Sequence, residues 1–150
     1  MPLSRIAARV DELKRRAEFA ALQMIKLEND QRIFERGQCT DGQSISSRRK
    51  ARNPREGDYS RGHGRRRQAR GRQTGYVDLE LTGRHRRSLI VGETDRGHAY
   101  GFSNERQRKI GEGHEAYRQK RIYGPSDETI DKARRAAVEE ARRFLRELIR

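Results

Sequence analysis

Apolar residues recur every three or four positions along the first 35 residues of the chain. This a/d spacing is sustained for more than three heptads and predicts one long helix over residues 3–35, with Gly37 as its stop. The residues that define the stripe are Leu3, Ile6, Val10, Leu13, Ala17, Ala20, Met24 and Leu27. Two interpretations stay open, because the stripe can pack on a sheet of the same chain or partly face another copy.

The pattern changes to alternation after residue 75. Val77, Leu79 and Leu81 alternate with polar residues, which predicts a half-buried strand over residues 76–82. Residues 88–92 and 98–102 predict two further strands, joined as a hairpin by a turn at residues 93–97. Ser103 is a candidate cap for a following helix that runs unevenly toward Gln119.

The last 25 residues predict a second well-patterned helix. Ser126 is the expected N-cap, and Asp127 and Glu128 in the first turn complement the positive end of the helix dipole. Apolar residues then follow with helical spacing to Leu148. The predicted fold is therefore α+β, with a long N-terminal helix and a C-terminal helix packed on a small antiparallel sheet.

We expect a single domain over residues 1–150, consisting of a helix (1–36), a basic arm (37–75), a small sheet (76–102) and further helices (103–150). The predicted core combines the strand faces with the final helix. Its members are Leu79, Leu81, Leu89, Val91, Phe144 and Leu148.

The arm is strongly basic and has few apolar residues. Residues 36–72 hold twelve Lys or Arg and three acidic residues, a net charge of +9 within a chain total of +14. Ile45 and Tyr59 are its only sizeable apolar side chains. Such a segment is expected to become ordered against a polyanion or an acidic neighbouring subunit. Its candidate contact residues are Arg48, Arg49, Lys50, Arg52, Arg61, Arg65, Arg66, Arg67, Arg70 and Arg72.

Composition points to an assembled, non-membrane protein. Hydrophobic residues make up 31% of the 150-residue chain and charged residues 39%, so the core is small and a subunit stabilised by its partners is expected. A single cysteine, Cys39, excludes an intramolecular disulfide and fits a reducing compartment. No signal peptide and no apolar run of about 20 residues is present, so we expect a soluble protein made in the cytoplasm.

No residue pattern predicts catalysis, a cofactor or a metal site. The four histidines and Cys39 lack zinc-ligand spacing, and Asp78 and Glu80 are interpreted as the solvent face of a strand. The arginine-rich arm has two open interpretations. It can engage phosphates without sequence preference, or it can clamp an acidic protein surface. Tyr59 is its lone aromatic residue, so base stacking is not indicated.

Three segments resemble neck proteins of tailed phages, namely tail-completion or head-tail joining proteins of the lambdoid and Mu-like kinds. Residues 78–91 resemble their Leu-x-x-Thr-Gly-x-Leu-x-x-Ser-Ile/Leu block, with His85 where the family usually has an apolar residue. Residues 121–128 resemble the Arg-x-Phe-Gly-Leu-Ser-Asp-Glu segment that starts the final helix. Residues 34–37, followed by Asp41-Gly42-Gln43, resemble the exit of the first helix and an Asp-Gly loop.

The resemblance implies an α+β subunit that forms a homo-oligomeric ring in the virion neck. It implies portal, adaptor or tail proteins as partners, possible contact with packaged DNA, and neither catalysis nor a cofactor. A nucleic-acid-binding protein that uses the arginine-rich arm is the alternative hypothesis.

Overall fold

A computed structural model describes residues 3–45, 59, 61–79 and 82–149 of the chain. Its elements show the α+β arrangement predicted from the sequence, with a long helix near each end and a two-stranded antiparallel sheet. In chain order they are α1 (Leu3–Asp30), a π-helical turn (Gln31–Glu35), α2 (Arg61–Gln68), α3 (Arg84–Ser88), β1 (Leu89–Thr94), β2 (Gly97–Phe102), α4 (Glu105–Arg118) and α5 (Asp127–Ile149).

The two long helices pack along each other in opposite directions. Lys132 of α5 pairs with Glu28 of α1 at 2.8 Å, and Glu140, further along α5, pairs with Arg16 at 2.7 Å. Phe144 is buried here, with the Arg16 guanidinium 5.0 Å from the centre of its ring. The apolar stripe of α1 is used only in part against α5 and the hairpin of the same chain. Leu13, Ala17, Ala20 and Met24 are half-buried, whereas Ile6, Val10 and Leu27 remain exposed.

The end of α1 differs from the single α-helix predicted over residues 3–35. Its last turn widens, because the Arg36 amide bonds back five residues to the Gln31 carbonyl at 3.0 Å. Gly37 then reverses the chain with φ +62°, as the sequence predicted. A side chain at residue 37 would meet Tyr76 and the Val77 carbonyl, so the position requires glycine for space as well.

The hairpin is confirmed and lies against α1. Leu89 pairs with Phe102 and Val91 with Tyr100, which places these four side chains on one face. Ile90 points the other way and is exposed.

The main core lies where the end of α1, the loops after it and the hairpin meet. Leu79, Tyr59, Tyr100 and Phe102 pack against it as partly buried residues. Its buried members are Ile33, Phe34, Cys39, Ile45, Val77, Leu89, Ile122 and Tyr123.

The predicted first strand is wrong over the residues described, 76–79. The amide of Asp78 bonds to the Tyr59 hydroxyl rather than to a neighbouring strand, and Leu79 has φ +54°. Asp78 is also buried instead of facing solvent. Alternation here reflects a loop that buries an acidic side chain among apolar neighbours. Among the described residues, the sheet therefore begins at Leu89 and has two strands.

The predicted core is also corrected. Leu89 is buried as predicted, whereas Val91 is half-buried and Leu148 is exposed on α5. Phe144 is buried between α5 and α1 and is not part of the cluster around Leu89. Leu81 lies outside the described residues.

One of the two predicted helix caps is confirmed, and the other lies one residue further along the chain. Ser126 accepts a hydrogen bond from the Thr129 amide at 3.2 Å and so caps α5, as predicted. Asn104, rather than Ser103, caps α4 by accepting from the Gln107 amide at 3.0 Å.

Candidate functional site

The second half of the predicted arm forms helix α2, which carries arginines on its outer surface. Arg61, Arg65 and Arg66 are exposed, and Arg70 follows them in the exposed turn that ends the helix. Successive members are four, one and four residues apart, so the four arginines span about two and a half turns of the chain. These exposed arginines give α2 and the turn after it a cationic surface, here called the α2 arginine face.

Arg67 belongs to the same run of arginines but points inward. Its Nη2 donates to Asp78 Oδ2 at 2.6 Å, and its Nε donates to the Gln73 carbonyl at 2.8 Å. Its guanidinium also lies 4.6 Å from the centre of the Tyr59 ring. Arg67 therefore anchors α2 to the domain rather than contributing to the exposed surface.

Asp78 is the centre of this anchor, and its carboxylate oxygens accept several hydrogen bonds. The Tyr59 hydroxyl donates to Oδ1 at 3.0 Å, and the Gln73 side-chain amide donates to Oδ2 at 2.7 Å. Together with Arg67, these bonds satisfy a buried charge that would otherwise be strongly destabilising. We call Tyr59, Arg67, Gln73 and Asp78 the anchor network.

The positive charges of these arginines affect His63, which lies beside them. His63 stacks on Tyr59 with ring centres 5.0 Å apart. Burial lowers the pKa of His63, and the positive charges of Arg67 and Arg66 lower it further. His63 is therefore neutral near pH 7, and α2 owes its positive potential to arginine alone.

The structure divides the predicted contact residues into three groups. Arg61, Arg65, Arg66 and Arg70 form the α2 arginine face, and Arg72 is exposed in the loop that follows. Arg67 is buried, so its assignment as a contact residue is corrected. Arg48, Arg49, Lys50 and Arg52 lie outside the described residues.

Sequence reasoning missed the residues that fix this face. Ile45 and Tyr59 were identified as the arm's only sizeable apolar residues, and both pack in the main core. Strand alternation predicts that Asp78, between Val77 and Leu79, faces solvent, and so conceals its role in the anchor network. The available signal was an acid directly between two apolar residues shortly after an arginine cluster, which is a pattern that a buried ion pair produces.

A second polar cluster connects the loop before α5 to α3 and α4. The Tyr123 hydroxyl lies 2.8 Å from His85 Nε2 and 2.7 Å from His114 Nδ1. His85 Nδ1 lies 2.9 Å from Gln107 Oε1, which can only accept, so His85 donates there. Tyr123 then donates to His85 Nε2 and accepts from His114 Nδ1–H.

Burial shifts the titration of this cluster. It lowers the pKa of His114 to about 4, with smaller contributions from His85 and Arg118, and it raises the pKa of Tyr123. It also lowers the pKa of His85. All three groups are neutral near pH 7, and the cluster acts as a hydrogen-bonded core that lets a histidine occupy position 85.

Arg32 ties the same loop to the end of α1. Its Nη2 donates to the Ile122 carbonyl at 2.7 Å and to the Gly124 carbonyl at 2.8 Å. Asn29 supports this contact by donating to the Tyr123 carbonyl at 3.2 Å. A buried guanidinium therefore satisfies two backbone carbonyls of this loop.

Two features are absent from the described residues. Within them, no three His, Cys, Asp or Glu side chains are grouped so that they would hold a metal ion. No helix in this part of the chain combines the length and apolar character needed to cross a membrane.

No family model, curated protein sequence or solved structure matches this chain.

Proposed function

We propose that this protein is a structural subunit of the neck of a tailed phage. In this role it forms a homo-oligomeric ring that joins the head or portal to the tail, as a tail-completion or head-tail adaptor protein. It performs no catalysis and works in the virion after synthesis in the host cytoplasm.

The observation that carries the proposal is the convergence of the three segments that resemble neck proteins. Arg86, from the Thr-Gly-x-x-x-x-Ser block, pairs with Glu35 at 2.9 Å and lies over the Phe34 ring at the exit of α1. His85 of the same block bonds to Tyr123, in the segment that starts α5. Three sequence similarities that are separate along the chain thus meet in one part of the structure, which supports the proposal.

The distribution of exposed apolar side chains supports an assembled subunit. Large apolar residues are exposed on several elements, including Phe19 on α1, Ile90 on β1, Tyr117 on α4 and Leu145 on α5. A subunit of a ring that also attaches to proteins above and below it needs more than one such surface. In this role the α2 arginine face contacts acids of a neighbouring copy or of the portal.

Nucleic-acid binding is the second candidate, and the α2 arginine face favours it. Four exposed arginines on one short helix and its following turn would contact phosphates without sequence preference. The same surface therefore serves either hypothesis, and one set of variants separates them.

The test uses a variant that removes three of the four arginines of the α2 arginine face but keeps the anchor. Arg65→Ala/Arg66→Ala/Arg70→Ala leaves Arg67 in place, so folding is retained. The control, Arg84→Ala/Arg96→Ala/Arg106→Ala, removes the same charge from exposed positions elsewhere. Assembly is measured by sedimentation and electron microscopy, and duplex DNA affinity is measured across a salt series.

The neck proposal predicts that the α2 variant loses assembly or attachment to portal while the control keeps it. Exposed ion pairs are worth about 0–1 kcal/mol singly, but a ring repeats each pair at every interface. The α2 variant could instead assemble normally, lose DNA affinity and show a weaker dependence of that affinity on salt. This result would replace the proposal with the nucleic-acid hypothesis.

A further inference from the structure

Helix α5 has two adjacent apolar seams, and only the first is covered by α1. The first contains Ala133, Ala137 and Phe144, which face α1. The second seam lies next to it, shifted by one residue along the sequence. Its successive members are three, four and three residues apart. Its members are Val138, Ala141, Leu145 and Leu148.

The second seam is open to solvent along its whole length. Val138, Leu145 and Leu148 are 49%, 48% and 44% exposed, and Ala141 between them is half-buried. The 3-4-3 spacing is the one by which a helix presents a and d positions to another helix. Since Val138, Leu145 and Leu148 each leave about half of their surface exposed, a second helix would bury apolar area at each turn.

The outer edge of this seam is positively charged. Arg135 and Arg142 lie one heptad apart at the flanking positions, and Arg146 extends the edge. Glu139 is the one acidic residue among them, which leaves a net positive edge. Within the described part of the chain, the guanidinium groups of Arg142 and Arg146 make no hydrogen bond or ion pair, so they remain available.

This charge decides between two kinds of occupant. A second copy packed through the same seam would bring Arg142 and Arg135 against their own counterparts, which repel. A helix whose apolar seam is edged by Asp or Glu would instead pair with them. Arginine and carboxylate also match in geometry, because two N–H groups face two oxygens.

We propose that the second seam of α5 is a docking site for an amphipathic helix of a different protein, with an apolar a/d seam and acidic flanks. The occupant lies along α5 and covers Val138, Leu145 and Leu148, while its carboxylates pair with Arg135 and Arg142. This surface lies outside the α2 arginine face. The inference therefore holds whether the α2 arginine face binds protein or nucleic acid.

The probe for the test is a synthetic, fluorescently labelled helical peptide of about four heptads, with Leu at a and d and Glu at e and g. Two matched peptides serve as controls, one with Lys in place of Glu and one with the acidic sequence scrambled. Binding to the full-length protein is followed by fluorescence anisotropy. We expect the acidic peptide to bind and both controls to bind at least about tenfold more weakly, which corresponds to about 1.4 kcal/mol.

Protein variants locate the site. Val138→Gln/Leu145→Gln should weaken binding of the acidic peptide at least about tenfold. Ile90→Gln/Ile110→Gln, at two comparably exposed apolar positions (40% and 37%), should leave binding unchanged. Arg135→Glu/Arg142→Glu should reverse the preference, so that the Lys-edged peptide binds best. Circular dichroism checks that each variant keeps its helix content.

Three results would overturn the proposal. In the first, the wild-type protein fails to bind the acidic peptide. In the second, the Val138→Gln/Leu145→Gln variant binds it as well as wild type, which would move the contact to another basic surface. In the third case, the wild-type protein sediments as a dimer that Val138→Gln/Leu145→Gln dissociates. The occupant would then be a second copy of this chain.

Discussion

The Arg67 guanidinium lies 2.6 Å from the Asp78 carboxylate, and the two side chains are only 1% and 6% exposed. This buried ion pair lies within a run of arginines whose other members face solvent. It holds α2 against the main core, so the basic segment presents its remaining arginines from a fixed position.

Replacing Arg67 should therefore destabilise the fold. Arg67→Ala leaves the Asp78 carboxylate buried without its cation, and removing one partner of a buried pair costs about 3–5 kcal/mol. The neighbouring exposed replacement, Arg66→Ala, should change the free energy of unfolding by less than about 0.5 kcal/mol. Urea denaturation of both variants measures the difference. Equal stabilities would mean that Arg67 is not anchored as described.

Two glycines of α4 should respond in opposite directions to alanine. A Cβ at Gly111 would meet the Phe102 ring at 2.6 Å, so Gly111→Ala forces the core to shift and should cost about 1–3 kcal/mol. Gly113 has no atom within 4 Å of that position. Gly113→Ala should stabilise the helix by about 0.5–1 kcal/mol. Thermal unfolding of the pair checks this, and a stabilising Gly111→Ala would contradict the packing of α4 on β2.

Stability should fall in mild acid because of the histidine cluster. The pKa of His114 is about 4 in the folded protein and near 6.5 when unfolded, so the unfolded chain binds the extra proton first. The contribution of His114 is fully present above pH 6.5 and is lost as the pH falls toward 4. Because part of the His114 ring faces solvent, the loss in the free energy of unfolding should be about 2 kcal/mol, less than the full pKa difference implies.

His114→Asn provides the control for this pH dependence. Its side-chain amide can still donate toward Tyr123 but does not titrate, so the free energy of unfolding should vary less between pH 6.5 and 5 than in wild type. The interval from pH 6.5 to 5 lies above the pH range in which most carboxylates titrate. An unchanged pH profile in this variant would show that His114 does not set it.

Regular elements with a strong period were predicted correctly from the sequence. The heptad stripe of α1, the Ser126 cap of α5 and the hairpin of residues 89–102 each depend on local spacing or on one capping side chain. Such signals need no knowledge of distant parts of the chain.

The anchor network could not be predicted in this way. Tyr59, Arg67 and Asp78 come together only because the loop buries an acid that alternation assigns to solvent. Position 85 is similar, since a histidine between arginines is buried only when Tyr123 and Gln107 satisfy its ring nitrogens. Long-range polar contacts of this kind override local pattern, and they determine which arginines remain on the surface.

Direct imaging of the purified protein, alone and mixed with a portal, tests the proposed function most directly. Negative-stain electron microscopy at physiological salt should show closed rings, or rings attached coaxially to the portal, and the Arg65→Ala/Arg66→Ala/Arg70→Ala variant should lose them. A protein that stays monomeric under both conditions and binds duplex DNA with a steep salt dependence would contradict the neck assignment.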